Sequence, residues 1–553
     1  MSNPVNQPAG TLLRVDGLTV ALPRGADRPY AVQDVSFDLR AGEILCVVGE
    51  SGSGKSISAN AIMGLLPAGL APRQGRILFK GQDLLRQSEE TLRTLRGKEI
   101  GMIFQEPMSA LNPVMTVGEQ IREVMAVHGA FPGEARGRRV LELLGLVGLP
   151  DPDSLQHVYP FRLSGGQRQR VMIAMAMAME PAILIADEPT TALDVTTQAQ
   201  ILALIKRIQA SMGMAVMFIT HDFGVVADIA DRVVVMEKGV LVEQGSAGQV
   251  LNRPVHSYTR RLIDAVPHGR ARASSAGVAR GPVLEVRNLS KHYVTAGGLL
   301  VKKRVVRAVD DVSFSVGPGE TLGVVGESGS GKSTIGKCLL KLIEIDGGQM
   351  LFNGRDIAPL SPSAFLPHRK HIQMIFQDPF ASLNPRHTVG RIINDGPLAN
   401  GVPPAEAHRR THELLKLVEL GESAFNRYPH EFSGGQRQRI GIARALALEP
   451  QLLVADESVS ALDVSVQAQV LGLLHQIQQR LNIAMIFITH DLRVAAQICH
   501  RIAVMHRGRI VEYGEPAQIL DRPQQDYTQR LIGAIPGKDW VPPRLLAQGD
   551  QPA

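Results

Sequence analysis

Cysteine is nearly absent: the 553 residues hold three, Cys46, Cys338 and Cys499. They lie far apart and none stands in a Cys-x-x-Cys pair, so no zinc site, iron–sulfur centre or disulfide framework is expected, and the three read as small buried hydrophobes. Aromatic residues make up 4% of the chain, with a single tryptophan, Trp540. Long apolar runs are missing too. The best candidates, VMIAMAMAM and MAVMFI, fall short of the roughly 18 residues a membrane span needs and end in charge, Pro or His. The first residues, MSNPVNQPAG, have no basic start followed by an apolar core, so no signal peptide is expected. These absences predict a cytosolic chain that does not itself cross a membrane.

What is present is an ordinary supply of core, 44% hydrophobic, on a length that suggests two to four domains. The net charge of +6 suits a cytoplasmic membrane surface or an anionic ligand. It is too diffuse to argue for nucleic acid.

The strongest signal is repetition. GESGSGKS occurs at 49–56 and again at 326–333. AVQDVSFDLRAGE answers AVDDVSFSVGPGE, MIFQEPMSALNP answers MIFQDPFASLNP, and LIADEPTTALD answers LVADESVSALD. FITHDFGVVADIADRVVVM answers FITHDLRVAAQICHRIAVM, and RPVHSYTRRLIDAVP answers RPQQDYTQRLIGAIP. Order and spacing hold throughout, a tandem duplication of a unit of about 270 residues. The predicted divisions are a first unit over 1–267, a small, basic, flexible linker over 268–282, a second unit over 283–536 and a tail over 537–553. Short Val/Ile-rich runs such as ILCVV, AILIAD and AVMFIT alternate with helical patterns, which predicts an α/β fold with a mainly parallel sheet.

Three constellations carry chemistry. GxxxxGK[ST] between a strand and a helix is a phosphate-binding loop, whose glycines let backbone N–H groups converge on phosphate oxygens at a helix N-terminus. In the first copy it comprises Gly49, Glu50, Ser51, Gly52, Ser53, Gly54, Lys55 and Ser56; in the second, Gly326, Glu327, Ser328, Gly329, Ser330, Gly331, Lys332 and Ser333. Lys55 and Lys332 would reach the β- and γ-phosphates, and Ser56 and Ser333 would place a hydroxyl on Mg2+. Next, an apolar strand ends in two acids, Asp187 with Glu188 and Asp456 with Glu457. Buried charge needs a partner, and a hydrated Mg2+ at the phosphates supplies one for Asp187 and Asp456. Glu188 and Glu457 would polarise the attacking water. Last, Ser164, Gly165, Gly166 and Gln167, and in the second copy Ser433, Gly434, Gly435 and Gln436, each open a helix and form a further anion cradle. One domain rarely needs two such cradles. The economical reading places each against the other copy's nucleotide, so that two units lie head to tail around two ATP molecules.

With these motifs in this order, the chain resembles a fused pair of ATP-binding cassette (ABC) transporter ATPases over nearly its whole length. The resemblance implies two tandem P-loop nucleotide-binding domains, each a mainly parallel core with an antiparallel β subdomain and a helical subdomain. It implies ATP and Mg2+ as cofactors, loop glutamines Gln105 and Gln377 at the metal, switch histidines His221 and His490 at the γ-phosphate, and D-loops ending at Asp194 and Asp463. The family stacks an aromatic on adenine. Tyr293 fits in the second half, whereas Leu22 occupies that place in the first, with Tyr30 nearby. Ser458 stands where the family commonly has Pro, beside a retained Glu457.

QEPMSALNP, QDPFASLNP, YPFRLSGG, YPHEFSGG and the two YT-containing tails resemble the dipeptide, oligopeptide and nickel importers. That implies ATP hydrolysis driving uptake through two separate membrane permeases with an extracytoplasmic binding protein, at the cytoplasmic face of a bacterial inner membrane. Peptide is the favoured cargo, with nickel and glutathione as alternatives. Many members carry a cysteine cluster in the tail for an iron–sulfur centre; this chain has none and is expected to hold none. Both halves being present, no homodimer is required. A tandem ABC ATPase acting on ribosomes or DNA is the rival class, but such proteins usually carry long charged linkers or zinc cysteines. An exporter would need different coupling loops, and an inactive regulator would lack a Glu or His.

Overall fold

Apolar runs too short for helices and rich in β-branched residues become fully buried strands, as parallel sheets covered on both faces require. A computed structural model describes residues 10–191, 193–267, 281–295, 304–460 and 462–544. Most of the expected linker 268–282, and the tail beyond 544, lie outside them. In the first half the strands run, in spatial order, Val240–Ser246, Arg232–Glu237, Ile44–Val48, Ala215–Thr220, Ile183–Asp187 and Ile100–Ile103. All pairs are parallel except the edge hairpin of Arg232–Glu237 with Val240–Ser246. The second half repeats this order with Thr321–Val325, Leu452–Asp456 and Ala484–Thr489 at its centre. Each half adds a four-stranded antiparallel sheet, Tyr30–Arg40, Thr11–Ala21, Ala71–Phe79 and Gln82–Asp83 in the first. Each also adds a helical layer, with Val117–Val127 and Glu134–Leu146 flanking the helix Gly165–Ala176 in the first half. The α/β reading with its antiparallel and helical additions stands.

The site-bearing loops leave the carboxyl ends of the parallel strands, where open α/β sheets bind ligands. Ile44–Val48 feeds the loop 49–56 and the helix Lys55–Met63; Ile183–Asp187 ends in the paired acids; Ala215–Thr220 delivers His221. All three cysteines are buried and free, as expected. No described helix is long and apolar enough to cross a membrane.

The halves interlock through their D-loops. Val195, which opens a helix of the first half, is buried in the second half's core, and Val464, its counterpart, is buried in the first half's core. Exchanging one β-branched side chain each way takes both from water. A second crossing is made by residues 537–544. The N–H of Gly537 donates to Asp228 at 3.0 Å, Trp540 Nε1 donates to Asn252 at 3.1 Å, and the indole packs against the first half's core.

Candidate active site

Each phosphate loop is built where only glycine fits. Gly54 (φ +99°) and Gly331 (φ +106°) cap the following helices in the left-handed region, and a Cβ there would lie 2.7 and 2.0 Å from the carbonyl oxygens of Ala31 and Ala308. Inside the loop, Lys55 Nζ donates to the carbonyls of Gly49 (2.8 Å) and Glu50 (2.9 Å), and Lys332 does the same to Gly326 and Glu327, both at 2.8 Å. Both ammonium groups are buried, and that burial lowers their pKa against the pull of nearby carboxylates, Glu188 and Glu457 foremost. The first residue of each helix is therefore a cation held ready inside a ring of backbone dipoles, suited to a polyphosphate.

The two strand-end acids divide their work. Ser56 Oγ donates to Asp187 at 3.0 Å and Ser333 Oγ to Asp456 at 2.9 Å. Burial pushes Asp187 up to about 6, with Glu188 next to it adding to the push, and Asp456 moves in the same direction for the same reasons. A hydroxyl beside a buried carboxylate is a hard oxygen donor pair of the kind Mg2+ takes. Glu188 and Glu457 move the opposite way. Burial opposes their ionisation, but the hydrogen bond and charge of His221 outweigh it and hold Glu188 at about 2; His490 lowers Glu457 likewise. His221 Nδ1 lies 3.4 Å from Glu188 Oε1, and His490 Nδ1 lies 3.8 Å from Glu457 Oε1. Glu188 raises His221 in return, against the cost of burial. Both glutamates sit in the left-handed region, at φ +46° and +43°, a strain of the sort retained at functional positions.

The expected site residues make further contacts. The side-chain N–H groups of Gln105 and Gln377, residues expected at a metal, donate to Glu188 (3.1 Å) and Glu457 (2.7 Å), charged acceptors within reach. Ser164 with Gln167, and Ser433 with Gln436, close capping boxes on their own helices, which spends one amide of each helix N-terminus. Gly166 and Gly435 also let that helix approach its own half's D-loop helix: a Cβ would lie 2.6 Å from Thr197 and 2.3 Å from Val466. A cavity of about 730 Å3 at the second loop is lined by Lys332, Ser333, Gln377, Glu457 and His490, and across the halves by Thr191, Leu193 and Asp194. Ser164 and Gln167 are not among its lining residues, and neither is Tyr293, which stands 42% exposed on its strand. The cross-half member of this site is thus the D-loop, which sequence reasoning had named without assigning it a contact.

Fold and site together define a tandem P-loop ATPase. An ABC transporter profile matches residues 32–191 and 309–460, and an oligopeptide/dipeptide transporter C-terminal region matches 242–293 and 511–546. The glutathione import ATP-binding protein GsiA of Escherichia coli O157:H7 is 47% identical over 580 aligned residues, covering 99% of this chain and 93% of that protein. Its namesake in Salmonella typhimurium is 47% identical and covers 98% and 93%. A solved dimeric ATP-binding cassette bound to ADP and phosphate is 31% identical over 42% of this chain and 98% of its own, with a TM-score of 0.39. The chain belongs to the ABC transporter family, as two ATPase units of the peptide-importer group fused in one polypeptide.

Proposed function

We propose that this chain powers the import of glutathione, and of short peptides of similar size, by hydrolysing ATP at two sites formed between its halves. The observation that carries the two-site reading is the matched set in each half: a buried loop lysine, a Ser–Asp oxygen pair, and an ionised glutamate held by a histidine and a glutamine. In this reading Lys55 and Lys332 turn from their loop carbonyls to the phosphates, and the loop amides orient the chain of phosphates. Ser56 with Asp187, and Ser333 with Asp456, hold Mg2+, which when bound offsets phosphate charge. Glu188 and Glu457 take the proton of the attacking water, while His221 and His490 keep them aimed. The unit boundaries at 267 and 283, and the tail from 537, belong to the same proposal.

Glutathione ranks first because the relatives named for its import match nearly the whole chain. Di- and oligopeptides come second, favoured by the C-terminal regions. Exposed apolar side chains beside the loop glutamines, Phe104 and Met108 in one half and Phe376 and Phe380 in the other, offer docking points for two permeases at a membrane face. An extracytoplasmic binding protein would supply the cargo.

The test is uptake of labelled glutathione, di- to hexapeptides and nickel by cells carrying the chain or its Glu188→Gln, Glu457→Gln form. Loss of glutathione uptake supports the reading. Loss of peptide uptake alone reverses the cargo order, and no loss of any overturns the import assignment.

A further inference from the structure

The C-terminal extensions reach back to the phosphate loops. The helix Ser257–Ala265 carries Tyr258, whose Oη accepts the backbone N–H of Glu50 at 3.0 Å. The helix Asp526–Gly533 carries Tyr527, whose Oη accepts the N–H of Glu327, also at 3.0 Å. Both rings are buried.

The consequence lies in one peptide unit. Its carbonyl, of Gly49, accepts from Lys55 at 2.8 Å, and its N–H, of Glu50, goes to Tyr258. The unit from Gly326 to Glu327 is held in the same way between Lys332 and Tyr527. While the lysine sits on the loop, the peptide group is gripped at both ends and cannot rotate about its flanking bonds; when the lysine turns to phosphate, the tyrosine still holds the N–H, so the loop amides that follow keep their direction. Here the grip also fixes the strained start of the loop. Gly49 lies at φ +153°, and a Cβ on it would sit 2.2 Å from the Met236 carbonyl. In the first half the phenol is doubly used, donating to Glu50 Oε2 at 3.3 Å.

The ring surroundings differ between the copies while the bond to the loop does not. Arg261 lies over Tyr258, its guanidinium 5.7 Å from the ring centre; His506 stacks on Tyr527 with ring centres 4.0 Å apart. Packing has diverged around a retained contact. Each extension helix also packs beside the opposite half's D-loop helix, Ser257–Ala265 beside Val464–Leu481 and Asp526–Gly533 beside Val195–Met212.

We propose that Tyr258 and Tyr527 are positioning residues of the two ATP sites, each setting its own half's phosphate loop from the C-terminal extension. The proposal rests on the assignment of 49–56 and 326–333 as the ATP loops. It makes the extension part of the nucleotide site and ties the fit between the halves to the readiness of the loop to take phosphate.

The experiment uses the full chain with a photoreactive ATP analogue and mass spectrometry of labelled peptides from each half. Tyr258→Phe keeps the ring and removes its bonds to Glu50, so the analogue should bind roughly 3- to 10-fold more weakly in the first half, as loss of the hold on the loop N–H dictates. Labelling of the second half in the same molecules should stay unchanged and serves as the folded reference. Tyr527→Phe should reverse the pattern. In steady state the KM for ATP should rise with kcat within about twofold, whereas a loss of folded protein would lower kcat alone. Thr259→Val is the control for helix packing. Thr259 is fully buried and its hydroxyl has no hydrogen-bond partner, so its loss should leave both labels unchanged. Lys55→Ala must abolish first-half labelling; if it does not, the loop assignment fails before the tyrosine is judged. Unchanged first-half labelling in Tyr258→Phe, or equal loss in both halves, overturns the proposal.

Discussion

Asp463 of the second half accepts the backbone N–H of Ser51, in the first half's phosphate loop, at 2.9 Å. Its counterpart Asp194 turns inward and caps its own helix, accepting the N–H of Thr197 at 2.9 Å. Asp463 makes no such cap. The residues two further on differ in the same sense: Ser465 hydrogen-bonds Glu50 across the halves, while the buried hydroxyl of Thr196 has no partner. Among the described residues, the first loop is hydrogen-bonded to the opposite D-loop and the second is not. Asp463→Ala should therefore weaken nucleotide binding at the Lys55 site and leave the melting temperature nearly unchanged. Asp194→Ala should cost about 1 kcal/mol of stability from the lost cap, read by thermal unfolding.

Glu188→Gln together with Glu457→Gln should retain ATP binding and lose turnover by about 100-fold or more, the usual worth of a positioned base. The carboxylates are ionised over the whole physiological range, because their histidine partners hold them low. Phosphate release measured beside equilibrium ATP binding separates the two effects, and near-normal turnover would remove both glutamates from the role of base.

Arg493 links the halves at low exposure. It pairs with Asp491 at 3.1 Å, lies 3.9 Å from Asp222 of the first half, and donates to the carbonyl of Pro536 at 3.0 Å. Burial opposes ionisation of Asp491, but the Arg493 charge holds its pKa below the ordinary 3.8. A lowered carboxylate contributes stability that is full above 3.8 and is lost as pH falls through the lower folded value. Arg493→Met should cost about 3–5 kcal/mol at neutral pH by stranding the acids. It should also raise the pKa of Asp491, so that mild acid restores part of the loss. Melting curves from pH 7 down to pH 2 check both signs.

Trp540 should stabilise a half to which its sequence does not belong. Trp540→Ala removes a partly buried indole packed against the first half's core and its bond to Asn252, for about 2 kcal/mol, less than a fully buried Trp would cost. Limited proteolysis should show earlier cleavage in the first half, before any in the second. Cleavage confined to the tail would mean that the contact carries no stability.

Much of the site was legible because local chemistry dictates it. A loop with glycines at left-handed positions, and a buried strand ending in two acids, announce their purpose from sequence. Contacts set by tertiary packing were not legible. The motif alone does not show that the amides of Gln105 and Gln377 donate to Glu188 and Glu457, a contact set by which carboxylate the fold brings within reach. Asp194 and Asp463 carry the same motif in both halves and differ only in which partner the fold presents. Tyr258 and Tyr527 stood in repeated segments, a sign that they mattered, but a separation of 208 and 200 residues from Glu50 and Glu327 hides any contact from pattern reading. The reach of Trp540 to the first half was hidden for the same reason.

Each ATP site takes parts from both halves, and Leu193→Arg, in the first-half D-loop that lines the Lys332 cavity, tests this most directly. Photolabelling by an ATP analogue, scored separately in each half, should fall at the site built on Lys332 and persist at the site built on Lys55. Equal loss in both halves, or loss confined to the Lys55 site, would contradict the head-to-tail arrangement.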